Sequence, residues 1–126
     1  MTLVDTSGWI EFLRERDSAV ANRVEALLRA GEAGWCDLIA TELRNGARGP
    51  KELKALQTLE EVVTLFPLDA AAWQQARTLA QACRQAGVTA PTVDIVVAAC
   101  ALRHGLKVEH CDEHFTAIQR VSTKLR

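Results

Sequence analysis

The sequence has no long apolar run. The longest, Ile95–Leu102, is eight residues, well short of the roughly 18 that would suggest a membrane span. It has no basic, apolar leader: Met1-Thr2-Leu3-Val4-Asp5 carries an acid at position 5, so no signal peptide is expected. It has no Cys-x-x-Cys pair. Cys36, Cys83, Cys100 and Cys111 lie far apart, three of them inside apolar stretches, which reads as reduced thiols in a cytoplasmic protein rather than a disulfide framework. Internal repeats and low-complexity tracts are absent. So are a Gly-x-Gly-x-x-Gly turn, a Walker loop and a Ser nucleophile elbow, which removes nucleotide-cofactor and covalent-hydrolase readings. Neither charge sign dominates: 15 Lys and Arg stand against 16 Asp and Glu. No global basic field therefore marks a nucleic-acid or membrane-surface binder, although a local patch is not excluded.

What is present is an ordinary globular composition, 126 residues with 48% hydrophobic and 25% charged. That length suits one domain spanning 1–126 and buries about two-thirds of the unfolded surface without staples. Gly and Pro punctuation at 31–34, 45–50, 67, 87–91 and 105 separates short β-like runs from longer helical ones. Strands are expected at Leu3–Asp5, Gly34–Asp37, Val62–Pro67 and Lys107–Cys111, with an edge strand at Val121–Ser122. Helices are expected around Trp9–Leu13, at Ala19–Ala30, at Leu38–Ala47, from Pro50, at Ala70–Ala86, at Thr92–His104 and at Glu113–Gln119. In Ala70–Ala86, positions 72, 73, 76, 79, 80 and 83 mark one face. Strands alternating with helical crossovers call for an α/β fold, a three-layer α/β/α sandwich with a mostly parallel central sheet.

In such sheets ligands gather beyond the carboxyl ends of the strands, and acids fall there. Asp5 ends the first strand and Asp37 the second, and Glu42 follows inside the next helix. Asp94 lies in the first turn of the apolar Thr92–His104 helix, and Asp112 follows the last long strand. Singly each has a plain explanation. Asp94 suits a helix N-terminus, worth about 0.3–1 kcal/mol, and Asp5 before Thr6-Ser7 suits a helix cap. Glu42 is harder to explain, because it interrupts an apolar stretch. Together Asp5, Glu42, Asp94 and Asp112 fit a cluster. Clustered carboxylates need a counter-charge, and oxygen ligands suit Mg²⁺ or Mn²⁺. Such an ion activates water and neutralises phosphoryl oxygens, which points to a phosphodiester substrate.

Four segments in this order resemble the PIN-domain family, most nearly its VapC-type toxins of bacterial toxin–antitoxin modules. They are Leu3-Val4-Asp5-Thr6-Ser7-Gly8-Trp9, Thr41-Glu42-Leu43 with Gly46, Pro91-Thr92-Val93-Asp94-Ile95-Val96-Val97-Ala98-Ala99, and Asp112-Glu113-His114-Phe115. The resemblance spans almost the whole chain. It implies a Mg²⁺- or Mn²⁺-dependent endoribonuclease, commonly a homodimer, neutralised by a cognate VapB-type antitoxin whose tail covers the acidic groove. Carried over by position, Asp5, Glu42, Asp94 and Asp112 become both the catalytic and the metal-holding set, with a hydroxyl from Thr6 or Ser7 beside Asp5. In-line attack on the phosphate would leave a 3′-hydroxyl and a 5′-phosphate. The chain departs from many relatives at His114, where they carry a further acid before the closing Phe; Glu113 or His114 is the substitute available here.

Arg44 and Arg48, with Lys51 and Lys54, form a candidate strip for the RNA backbone, as do Arg14 and Arg16. His110, Asp112 and His114 alternate as zinc ligands on a strand would, but Phe115 and the helical run after it spoil that pattern. Trp9, Trp35, Trp73 and Phe12 fall on apolar stripes and read as core or dimer contacts. A phospho-acceptor receiver domain would want paired acids after the first strand and a late Lys, neither of which fits. The alternative of a different class is a catalytically weak PIN-like RNA- or protein-binding module. Setting the four clustered acids aside leaves 15 basic against 12 acidic residues, so a metal-loaded surface would be mildly basic.

Overall fold

The structure, a computed structural model, describes residues 1–124. Leu3 and Val4 are fully buried, and with Thr2 they form β1 (Thr2–Val4), the strand around which the sheet is organised. β2 (Ala33–Trp35) lies on one side of β1 and β4 (Lys107–Glu109) on the other, while β3 (Thr64–Leu65) adds to β2 at the edge. All three pairings are parallel, with Leu3 opposite Gly34 and Val108, and Gly34 opposite Thr64.

Two helices lie in each crossover. α1 (Thr6–Leu13) and α2 (Ala19–Arg29) join β1 to β2, and α3 (Asp37–Asn45) and α4 (Pro50–Val62) join β2 to β3. α5 (Ala70–Gln85) and α6 (Thr92–His104) join β3 to β4, and α7 (Glu113–Lys124) follows. Since crossovers of this kind are right-handed, the order β3-β2-β1-β4 places α1–α4 on one face and α5–α6 on the other. α7 packs on α5 and α6. The expected three-layer parallel α/β architecture is the one found.

The consequence for function lies between β1 and β4. Chain leaving β1 passes over one face, and chain entering β4 arrives from the other. A crevice opens where such connections part, beyond the carboxyl ends of the strands. α6 runs beside it and is buried from Ile95 to Ala101, which explains why its sequence is apolar all round. Gly105 ends it in the left-handed region at φ 66°, a conformation that a side chain resists.

Several boundaries differ from expectation. The strands are shorter than their apolar runs, because only two or three residues of each find a partner strand. Val121–Ser122 is not an edge strand. Phe115, Ile118, Val121 and Ser122 recur at helical spacing and are buried along one side of α7, so burying that stripe extends the helix to Lys124. On α5 the buried stripe is Ala72, Ala76, Leu79 and Cys83, while Trp73 is 43% exposed and is not a core residue. Trp9 and Trp35 are buried edge to face, ring centroids 5.6 Å apart. All four cysteines are free thiols, with Cys36, Cys83 and Cys100 buried and Cys111 exposed.

Candidate metal centre at the carboxyl end of the sheet

Asp5 is the residue after β1 and the N-cap of α1. Its Oδ1 accepts from the Gly8 amide at 3.1 Å and from the Ser7 hydroxyl at 2.7 Å. It is 4% exposed. Burial pushes its carboxyl above the ordinary aspartate range; the Ser7 hydroxyl, the Gly8 and Ser7 amides and the nearby His110 ring oppose that push without cancelling it. The capping explanation is therefore correct and incomplete, since a cap alone would lower the value.

The loop after β4 is tied to the same place. The Asp5 amide donates to the Glu109 carbonyl at 3.0 Å, and the Cys111 amide donates to Ser7 Oγ at 3.2 Å. Ser7 thus bridges the first and last strand ends, which brings Asp112 to the site. Gly8 makes that approach possible: a Cβ there would stand 2.9 Å from Val4 Cγ1 and 3.3 Å from the Glu109 carbonyl.

Glu42 arrives from α3. Its Oε1 accepts from Thr6 Oγ1 at 2.6 Å. The two hydroxyls of Thr6-Ser7 are consequently divided, Ser7 serving Asp5 and Thr6 serving Glu42. Asp94 sits in the first turn of α6. The helix dipole alone would favour its charge, yet its carboxyl is pushed up, first by burial, then by Asp112 and Asp5, and further by Glu42, with His114 pulling the other way. That pattern decides between an isolated helix-end acid and a cluster. Asp94 thus feels the other three acids at one sheet edge.

His114 completes the arrangement. Its Nδ1 lies 3.1 Å from Asp112 Oδ1 and 3.4 Å from Asp94 Oδ2, and its amide donates to Asp112 Oδ1 at 2.9 Å. One oxygen of each aspartate and a ring nitrogen of His114 lie within 4.8 Å of one another. The strand-face trio of His110, Asp112 and His114 does not form, because β4 ends at Glu109 and α7 begins at Glu113. His110 instead accepts the Asp112 amide at Nδ1, 3.3 Å away, and lies against Phe115, ring centroids 5.1 Å apart.

The candidate cationic strip is less uniform than its sequence. Arg44 is held by Glu60 at 2.7 and 3.1 Å, and Lys51 lies 3.9 Å from Glu15. Arg48 is exposed. Arg14 is partly buried, 3.6 Å from Glu52. Arg14, Glu52 and Leu13 line both a small pocket of about 70 Å³ that includes Glu42 and an open cleft of about 860 Å³ that includes Arg16, Arg48 and Lys51. The acidic site and the basic residues thus share a wall. That continuity had no sequence signal, because it depends on how α4 packs.

The sequence and the fold both match known proteins. The chain belongs to the PIN domain family, whose sequence pattern matches residues 2–121. It is 35% identical to ribonuclease VapC11 of Mycobacterium tuberculosis, over 97% of this chain and 94% of that protein. Its fold is similar to the crystal structure of FitAcB from Neisseria gonorrhoeae, with a TM-score of 0.73 and 22% identity over 94% of both chains. It is similar also to VapBC-5 from Mycobacterium tuberculosis, a member of the VapBC family of toxin–antitoxin systems. There the TM-score is 0.69 at 22% identity, over 93% of this chain and 89% of that one.

Proposed function

We propose that this protein is a divalent-metal-dependent endoribonuclease of the VapC type, with Mg²⁺ or Mn²⁺ as its ion. The observation that carries the reading is the convergence of Asp5, Glu42, Asp94 and Asp112, in which the Asp94 carboxyl is pushed up by burial and then by its three acidic neighbours. The 35% identity to ribonuclease VapC11 supports RNA as substrate. The donor set fits the ion: buried and half-buried carboxylate oxygens gathered around Asp94 are what a hard divalent cation neutralises.

Asp5, Asp94 and Asp112 would hold the ion, which would supply charge neutralisation at the scissile phosphate. The chain's own groups do the positioning. Ser7 fixes the Asp5 carboxylate, and Thr6 fixes Glu42, which orients the attacking water. Attack at phosphorus breaks the bond to the 3′-oxygen, leaving a 3′-hydroxyl and a 5′-phosphate. Arg48 and Arg44 are candidate contacts to the RNA backbone, Arg44 only when released from Glu60. A protein partner of antitoxin type, masking the acidic groove, belongs to the same reading, as does self-association.

Labelled RNA incubated with the purified protein in Mg²⁺, Mn²⁺ or EDTA tests this. Cleavage with metal and none in EDTA is expected. RNA binding without cleavage under every condition would instead select a binding module on the same fold.

A further inference from the structure

We propose that His114 is a nitrogen ligand that determines which ion this site takes, tilting it away from Mg²⁺ and toward Mn²⁺ and Co²⁺. The inference rests on the reading of the acidic cluster as a divalent-metal site. The geometry is direct. His114 Nδ1 sits 3.1 Å from one aspartate oxygen and 3.4 Å from another, so a single ion placed among the three atoms is within reach of all of them. The ring is held by its own backbone, because the His114 amide is anchored on the Asp112 carboxylate at 2.9 Å. Its side chain is 46% exposed while those of Asp94 and Asp112 are 16% and 32% exposed, which leaves the solvent side open to water ligands.

His110 is not an equivalent donor. Its Nδ1 is spent on the Asp112 amide and its ring rests on Phe115. The consequence follows from ligand chemistry. Mg²⁺ demands hard oxygen donors, whereas imidazole suits borderline first-row ions. A neutral ring also supplies one negative charge fewer than a carboxylate at that position, which costs Mg²⁺ most, since its binding is almost wholly electrostatic.

The test uses the untagged full chain stripped with EDTA. Mg²⁺ and Co²⁺ affinities are measured by calorimetry for the wild type, His114→Asp, His110→Gln and Asp94→Asn, and pulsed EPR is recorded on Mn²⁺-loaded protein. His114→Asp is expected to lower the Co²⁺ to Mg²⁺ affinity ratio about ten-fold or more. The Mn²⁺ spectrum should show histidine-nitrogen coupling in the wild type and in His110→Gln, and none in His114→Asp. An unchanged ratio, or a wild-type spectrum without nitrogen coupling, overturns the inference while the metal site stands if Asp94→Asn has lost binding. Wild-type ion affinity in Asp94→Asn would overturn the metal site and this inference together.

Discussion

The Thr6 hydroxyl donates to Glu42 Oε1 at 2.6 Å, joining residues 36 positions apart. This bond fixes the one acid of the cluster that comes from α3 against the first turn of α1. Removing it should leave the fold in place and free the glutamate.

Thr6→Val is therefore expected to slow RNA cleavage about ten- to a hundred-fold, the equivalent of about 1.5–3 kcal/mol for a hydrogen bond to a charged group. Thr6→Ser, which keeps the donor, should retain most of the rate. Single-turnover rates beside thermal melts separate this from a stability effect, since both variants should melt close to the wild type.

The raised carboxyls of Asp5 and Asp94 make metal-free stability depend on pH in a definite direction. Each acid is easier to protonate in the folded chain than in the unfolded one. The stability this contributes is complete below about pH 3.9, the unfolded aspartate value, and is lost as pH rises through the folded value. At neutral pH the metal-free fold thus carries charges that burial disfavours, with like-charge repulsion added at Asp94, and Asp94→Asn should melt above the wild type. That advantage should shrink on acidification. Adding Mn²⁺ should raise the wild-type melting temperature and leave the variant's nearly unchanged. Melting curves across pH, with and without ion, would contradict this if Asp94→Asn melted lower at neutral pH.

Gly8→Ala sets two effects against each other. Alanine in a helix gains up to about 1 kcal/mol over glycine. The new methyl would lie 2.9 Å from Val4 Cγ1 and 3.3 Å from the Glu109 carbonyl, and overpacking of this kind costs about 1–3 kcal/mol. The clash is with the buried Val4 side chain and the backbone carbonyl of Glu109 in β4, which have little room to give, so it should win. Denaturant unfolding should show a net loss of about 1–2 kcal/mol. Cleavage should fall too, because the same contact sets the spacing between Asp5 and the loop that carries Asp112.

The layer architecture was readable because helical spacing and Gly and Pro punctuation report it directly, and the apolar run of α6 matched its helix from Thr92 to His104. Strand limits were not readable. A strand of three residues is too short to show alternation, and its end depends on where the neighbouring strand stops. Val121 and Ser122 taken locally read as extended, and only their spacing from Phe115 and Ile118 places them on a helix. At the site, the four acids were visible as single interruptions of apolar sequence at element ends. The division of labour between Thr6 and Ser7 was not. Adjacent in sequence, the two hydroxyls diverge by about 100° on a helix, so one reaches Asp5 and the other Glu42. His114 likewise emerged as a partner of Asp94 only once α6 and α7 were packed together.

The most direct measurement compares single-turnover RNA cleavage in Mn²⁺ by the wild type and by Asp5→Asn, Glu42→Gln, Asp94→Asn and Asp112→Asn, each checked for folding by its melting curve. Every variant is expected to fold and to lose about a hundred-fold or more in rate, since each removes a charge that binds the ion or directs water. Full metal-dependent cleavage by Asp5→Asn or Asp94→Asn would contradict the assignment of the site.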